Sequence, residues 1–292
     1  MRLNHRFVAI LVLSLICPAL HAAEADFRNC AGTYSAAPRG ADKRVDVPVL
    51  LNRLKELHAE SYNWLVWGHD TDWDDLQLFL PKAREQGLRV WVTLVPPSES
   101  PPKTKAYAEP FKTDYDTWAV EIAKLSVKEP NLVAWSIDDF THNLAIFTPE
   151  KTAAMLKAAR AINPKLAFVP CCYFPAASKP AFAKNYGPLL DGVLFPYRNE
   201  SRKANLTDAD AVTSEVAKLR ELLGPKVAVI VDVYSTAHSR LGPSTPEYVR
   251  HVMTDALKSA DGVMVYCTPD PQREPEKFAA VKDVFAARES RH

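Results

Sequence analysis

The chain has 292 residues, with 36 Lys and Arg against 35 Asp and Glu for a formal net charge of +1, and its charges are mixed along its length. That balance provides no basic footprint for nucleic acid. Only 9 glycines occur, and no G-x-G-x-x-G or G-x-x-x-x-G-K-[ST] pattern is present, so neither dinucleotide nor P-loop nucleotide binding has a sequence handle and no cofactor is expected.

Met1 to Arg6 forms a basic segment, and Phe7 to Cys17 is apolar but too short to span a bilayer. With Ala22, Ala23 and Ala25 as cleavage points, this is the pattern of a signal peptide over residues 1–23. It predicts a secreted or periplasmic protein with no membrane association after cleavage. Ile16 precedes Cys17 where a lipid-anchored protein has a small residue, which argues against lipidation. Removing Arg2 and Arg6 leaves 36 − 2 = 34 basic residues against 35 acidic ones. No flexible linker divides residues 24–292, which are read as one domain and as a monomer.

Strand-like and helix-like segments then alternate to the end of the chain. A compositionally weak strand, Phe27 to Tyr34, precedes a helix from Val47 to about Glu60 with Leu50, Leu51, Leu54 and Leu57 at helical spacing. Tyr62 to Trp67 is a strand, Trp73 to Gln86 a helix stopped by Gly87, and Leu88 to Val95 a strand ended by Pro96-Pro97. Tyr115 to Lys128 is a helix, Leu132 to Ile137 a strand, Pro149 to Ile162 a helix, and Leu166 to Cys171 a strand. A shorter helix near Pro180 to Leu190, a strand Gly192 to Pro196, and a helix Asp208 to Leu223 follow. The last units are Val227 to Val233, Thr245 to Ala260, Gly262 to Tyr266 and Pro275 to Ala287. Eight βα units predict a parallel sheet closed as a (β/α)8 TIM barrel.

In such a barrel the chemistry belongs on the loops after the strands. Polar residues collect there: His69, Asp70 and Asp72 after the second strand, Asp138, Asp139 and His142 after the fourth, Tyr197, Arg198 and Glu200 after the sixth. Asp232, Tyr234 and His238 end the seventh, and Tyr266 ends the eighth. The sharpest feature is Ala134-Trp135-Ser136-Ile137-Asp138-Asp139-Phe140, an apolar strand ending in two carboxylates. Such a pair repels, one pKa rises, and an acid stands beside an anion. Alternation puts Ile230, Asp232 and Tyr234 on one face, so Asp232 and Tyr234 point together at the mouth. Glu200 reads as solvated. Trp67, Tyr107, Tyr173, Tyr197, Tyr234 and Tyr266 offer rings for sugar faces, with His69 and Arg198 as polar contacts. Trp64, Trp91 and Trp135 read as packing between strands and helices. The proline-rich connection from Pro96 to Asp114 is expected to wall one side of the cleft.

The chain resembles the superfamily of (β/α)8 glycoside hydrolases, which place carboxylates at the ends of the fourth and later strands. The resemblance covers the whole barrel, but its motif is the pair Asp138-Asp139 alone. In families that cleave N-acetylhexosaminides by substrate assistance, the first such carboxylate orients the acetamido group and the second is the acid/base. That resemblance implies Asp138 as orienter and Asp139 as acid. Other barrel glycosidases use a nucleophilic Asp on the fourth strand, which implies Asp232 or Glu200 as partner. The implied partner molecule is an oligosaccharide or polysaccharide. A metal-dependent barrel hydrolase would draw on His69, Asp70, His142, Asp232 and His238, but no H-x-H or H-E-x-x-H pattern supports it, and no metal is expected. A barrel that binds glycans without cleaving them uses the same residues. Export predicts a disulfide, and Cys30 and Cys267, on the neighbouring first and eighth strands, are its candidates, with Cys171 and Cys172 free.

Overall fold

The computed structural model describes residues 27–100, 102–104 and 108–289. The signal peptide read over residues 1–23 and the ring of Tyr107 lie outside the described residues. Eight parallel strands make up the barrel: β1 (Cys30–Tyr34), β2 (Ser61–Val66), β3 (Arg89–Leu94), β4 (Leu132–Ile137), β5 (Ala167–Phe168), β6 (Gly192–Tyr197), β7 (Ala228–Tyr234) and β8 (Gly262–Tyr266). Their order is β5-β4-β3-β2-β1-β8-β7-β6, so the weak first strand does lie between β2 and β8 as a closed barrel requires.

The seam falls between β5 and β6. Pro170 has no N–H to give a ladder, which cuts the expected six-residue fifth strand to two residues. Past it the main chain resumes pairing: Leu194 N–H donates to Pro170 O (2.9 Å) and Cys172 N–H to Leu194 O (2.8 Å). At the other end of the seam Asp191 Oδ2 accepts from Phe168 N–H (2.8 Å) and from Arg160 Nη2 (2.8 Å), and both charged side chains are buried.

The covering helices are α1 (Val47–Glu56), α2 (Asp72–Glu85), α3 (Tyr115–Lys128), α4 (Pro149–Ile162), α5 (Phe174–Ala177), α6 (Pro180–Tyr186), α7 (Val212–Leu223), α8 (Pro246–Ser259) and α9 (Pro275–Glu289). Asp46, Asp114, Thr148 and Thr245 cap α1, α3, α4 and α8 by accepting from first-turn N–H groups. Gly87 and Gly224 follow α2 and α7 with φ of 70° and 79°, a conformation that favours glycine. Among the described residues no helix is long and apolar enough to cross a membrane.

Alternation along the strands sorts the apolar residues into two layers. Trp64, Trp135, Val229, Val231 and Val233 point outward into the strand–helix layer. Cys30, Tyr34, Ala134, Ala167, Leu194, Ile230 and Met264 fill the barrel. Trp91 belongs to this inner group, edge-on to Phe27 at 6.0 Å, which corrects its reading as strand–helix packing. Gly32 also faces inward, and a Cβ there would stand 2.6 Å from Met264 Sδ and 2.7 Å from Ser61 O. The narrow barrel leaves room only for hydrogen at that point.

The expected disulfide is absent: Cys30 and Cys267 are both free, as are Cys171 and Cys172. Parallel neighbours set start against start. Cys30 pairs with Gly262 and Tyr34 with Tyr266, so Cys30 lies at the bottom of the barrel and Cys267 just past its top. Roughly 15 Å of strand separates them, whereas a disulfide needs Cα atoms within about 7 Å.

Candidate active site

Strand ends converge on a cavity of about 380 Å³ at the C-terminal mouth of the barrel. From the barrel interior rise Tyr34 on β1, Asp232 and Tyr234 on β7, and Tyr266 on β8, each the last inward residue of its strand or next to it. Asp138 and Cys171, just past β4 and β5, complete the floor. Two adjacent residues on a strand normally face opposite sides. Asp139 escapes that rule because its backbone is left-handed (φ 46°, ψ 30°) and turns directly into the 3₁₀ turn Phe140–His142. Both carboxylates therefore line the cavity. A left-handed non-glycine residue at a cavity wall is the kind of local strain that functional sites hold.

The electrostatics follow from burial. Removal from water, then the neighbouring Asp139, pushes Asp138 up to about 7. The Cys171 thiol hydrogen-bonds this carboxyl, partly opposing the rise. Burial, then the neighbouring charges of Asp138, Asp139 and Asp232, keep Cys171 a thiol, its pKa pushed well up. Asp232 is 1% exposed and burial pushes it up to about 8, against the hydrogen bond that Tyr34 Oη donates to its Oδ2 at 2.7 Å. Asp232 Oδ1 has no hydrogen-bond partner among the described residues. Asp139 Oδ1 accepts from Tyr173 Oη at 2.7 Å and lies 3.5 Å from His142 Nδ1. The Tyr173 ring stacks on His142 at 4.4 Å and carries the Arg198 guanidinium 4.3 Å from its centroid. Glu99 also lines the cavity, raised by burial and then by Asp139, which fits the expectation that its loop walls the cleft.

Of the residues read from the sequence, Asp138, Asp139, Asp232, Trp67, Tyr173, Arg198, Tyr234 and Tyr266 share this cavity. Two do not reach it. Tyr197 follows inward-facing Pro196 and so points outward, donating to Asp208 O (3.0 Å) and stacking on Tyr248. His69 stays on the β2–α2 loop, its Nδ1 2.5 Å from Asp70 Oδ1 and 3.2 Å from Thr71 Oγ1. Glu200 is not freely solvated: its side chain is 9% exposed and pairs with Arg198 as an ion pair. Sequence reasoning passed over Tyr34 and Cys171. Alternation from Cys30 through Gly32 could have found the first; Pro170 hid the second by breaking its strand.

Of the histidine-rich set weighed for a metal, only His142, Asp232 and His238 line the cavity. The tightest group is instead Asp138, Asp139 and Cys171, whose ligand atoms lie within 4.8 Å of one another. A protonated thiol already bonded to Asp138 explains that cluster without an ion. A larger cavity of about 520 Å³ opens at the opposite end of the barrel. Its carboxylates are held in ion pairs, Asp283 with Arg250 (3.0 Å) and Asp261 with Arg28 (3.2 Å).

The fold is a (β/α)8 barrel with a carboxylate-lined mouth. No family model and no curated protein matches the chain. Solved structures of similar fold include a glucosidase from Croceicoccus marinus, with TM-score 0.62 and 14% identity over 91% of this chain and 69% of that one. A GH113 beta-1,4-mannanase matches with TM-score 0.60 and 10% identity over 89% of this chain and 99% of that one. At such identities the likeness establishes the shared barrel fold.

Proposed function

We propose that the protein is a glycoside hydrolase acting at the barrel mouth. The observation that carries this is the turn of Asp138 and Asp139, adjacent in sequence, into one cavity. At neutral pH a carboxyl near pKa 7 is present in both forms, so Asp138 can give a proton to a leaving glycosidic oxygen and take it back from water. Asp139, held by the Tyr173 hydroxyl, is the neighbouring anion that opposes positive charge developing on the sugar. This moves the proton-carrying role from Asp139, which the family resemblance implies, to Asp138, the carboxyl that desolvation and its neighbour Asp139 raise. Asp232 lies on the opposite side of the same floor and is a second carboxyl of raised pKa. Trp67, Tyr234 and Tyr266 provide ring faces for the C–H surfaces of a sugar.

In this reading the enzyme works as an exported monomer on an oligosaccharide or polysaccharide, since its first 23 residues read as a signal peptide. The test is turnover by the purified protein on a panel of aryl glycosides and polysaccharides. Cleavage that disappears in Asp138→Asn supports the proposal. Glycan binding with no turnover on any substrate would make the barrel a binding protein instead.

A further inference from the structure

The mouth is chemically lopsided. Asp138, Asp139 and Glu99 stand on the β3 and β4 side, while Arg198, His238 and Arg240 stand on the β6 and β7 side of the same cavity. Arg198 is 8% exposed, and its Nε is buried without a hydrogen-bond partner. Its Nη2 is taken by Glu200, and its Nη1 lies 3.3 Å from His238 Nε2. His238 sits on a short hairpin, Ala237–His238 paired with Gly242–Pro243, that reaches over the mouth.

Donor and acceptor accounting shows what this corner lacks. His238 Nδ1 accepts the backbone N–H of Arg240 at 3.1 Å. In a neutral imidazole the other nitrogen then carries the hydrogen. Nε2–H therefore points at Arg198 Nη1, a donor facing a donor. Protonation does not relieve the conflict, and burial with the charges of Arg198 and Arg240 holds His238 below its usual range. Arg240 is exposed and makes no ion pair among the described residues; Glu200 takes Arg198 Nη2 from outside the cavity, and Asp232, which the Arg198 charge does reach, makes no hydrogen bond to Arg198 or His238 among the described residues. Beyond the Nη2 that Glu200 accepts, the corner keeps Arg198 Nε, His238 Nε2–H and the exposed Arg240 guanidinium without an acceptor among the described residues.

We infer that this corner binds the anionic substituent, carboxylate or sulfate, of an acidic sugar. A hydroxyl oxygen can accept from both groups but stays neutral; an anionic oxygen accepts from His238 Nε2–H and Arg198 Nη1 and also offsets the positive charge of Arg198 and Arg240, which makes those bonds charge-assisted at both ends. The guanidinium of Arg240 closes over the same group from the hairpin. The choice of a sugar rests on the glycosidase reading, whereas the need for an anion rests on the corner alone.

The test is a calorimetric titration of the full-length protein with free glucuronate, galacturonate, glucose 6-sulfate, glucose and galactose at millimolar concentrations. The acidic sugars should bind about tenfold or more tightly than their neutral counterparts, and added salt should erode that preference. Comparing glucuronate with glucose 6-sulfate separates the two sources of charge. Arg240→Ala should reduce the preference. Arg198→Lys, which keeps the charge but loses the fork, should also weaken the acids. Equal affinity for glucuronate and glucose, or no binding of any acid, overturns the inference. Binding of acids without cleavage of any glycoside leaves the corner assigned and sinks the glycosidase reading; turnover of neutral glycosides with no preference for acids does the reverse.

Discussion

The hydroxyl of Tyr34 donates to Asp232 Oδ2 at 2.7 Å, tying β1 to β7 across the intervening β8 just beneath the cavity. The bond favours the ionised carboxylate, yet burial outweighs it and Asp232 still titrates near 8. Tyr34→Phe leaves both carboxylate oxygens without a partner, so the Asp232 pKa should climb further. The cost in stability should be about 1–3 kcal/mol, the usual penalty for stranding a buried polar group. Denaturant melts give the cost, and carboxyl NMR titration gives the shift. An Asp232 titration identical in the two proteins would show that the bond does not act on this carboxyl.

The raised carboxyls also set a pH dependence of folding. Asp138 and Asp232 titrate near 7 and 8 in the native protein and near 3.9 in an unfolded chain. Between about pH 4 and pH 8 the native state therefore binds more protons, and its stability falls as pH rises through that window. Asp232→Asn carries no such proton. Its stability relative to the parent should rise with pH across the window, by at most about 1.4 kcal/mol per pH unit. Parallel thermal melts at several pH values check this, and a constant gap between the two proteins would contradict it.

The barrel was legible because each strand and helix announces itself by period, and because eight such units admit few topologies. Asp138, Asp139, Asp232 and Tyr234 were legible for a related reason: the end of a strand is a place in a sequence, and alternation fixes direction. Where alternation fails, the sequence goes silent. Nothing in the letters shows that Asp139 is left-handed, which is what brings it beside Asp138. Tyr197 was misplaced by one residue of register, the smallest error a strand allows and one that reverses a side chain. Cys30 lies on β1 and Cys267 one residue past the end of the neighbouring β8, but adjacency of strands is not proximity when both run the same way. Glu200 was taken for solvated because its partner Arg198 is reached through the loop's fold and not through spacing.

Thiol counting tests that last geometry. Unfolding the purified protein without reductant should expose the same number of reactive thiols as unfolding it after reduction, because Cys30, Cys171, Cys172 and Cys267 are all free. A rise of two thiols on reduction would show that two of these four cysteines are bonded, contrary to this geometry.

At the seam, Asp191 is the single group that satisfies Arg160 and the Phe168 N–H together. Asp191→Ala leaves the Arg160 guanidinium, whose side chain is 6% exposed, with the Leu189 carbonyl at 2.9 Å but without its counter-charge, and opens the barrel where its ladder is shortest. Breaking one half of a buried pair costs about 3–5 kcal/mol, so a marked loss of melting temperature is expected. Asp191→Asn keeps the backbone bond and should lose less. Equal melting temperatures for parent and Asp191→Ala would show that the seam does not depend on this pair.

The roles of the two adjacent carboxyls separate in their pH profiles. If Asp138 carries the proton, the rate on a glycoside with a poor leaving group should fall as pH rises through about 7, where burial and the negative Asp139 have placed that carboxyl. Asp138→Asn should lose about 10²–10⁴ of the rate and the alkaline limb with it, and should lose less on a phenolate leaving group that needs no proton. Asp139→Asn has a different signature. It removes the negative neighbour that raises Asp138, so the limb should survive but move to lower pH, alongside a loss of rate from the missing anion. Tyr173→Phe keeps the Asp139 charge while removing its hydrogen-bond donor, and should leave the limb in place with a smaller loss. Were Asp139 the acid instead, Asp139→Asn would abolish the limb and Asp138→Asn would displace it. Rate profiles of the parent and these three variants on one substrate therefore decide which carboxyl holds the proton.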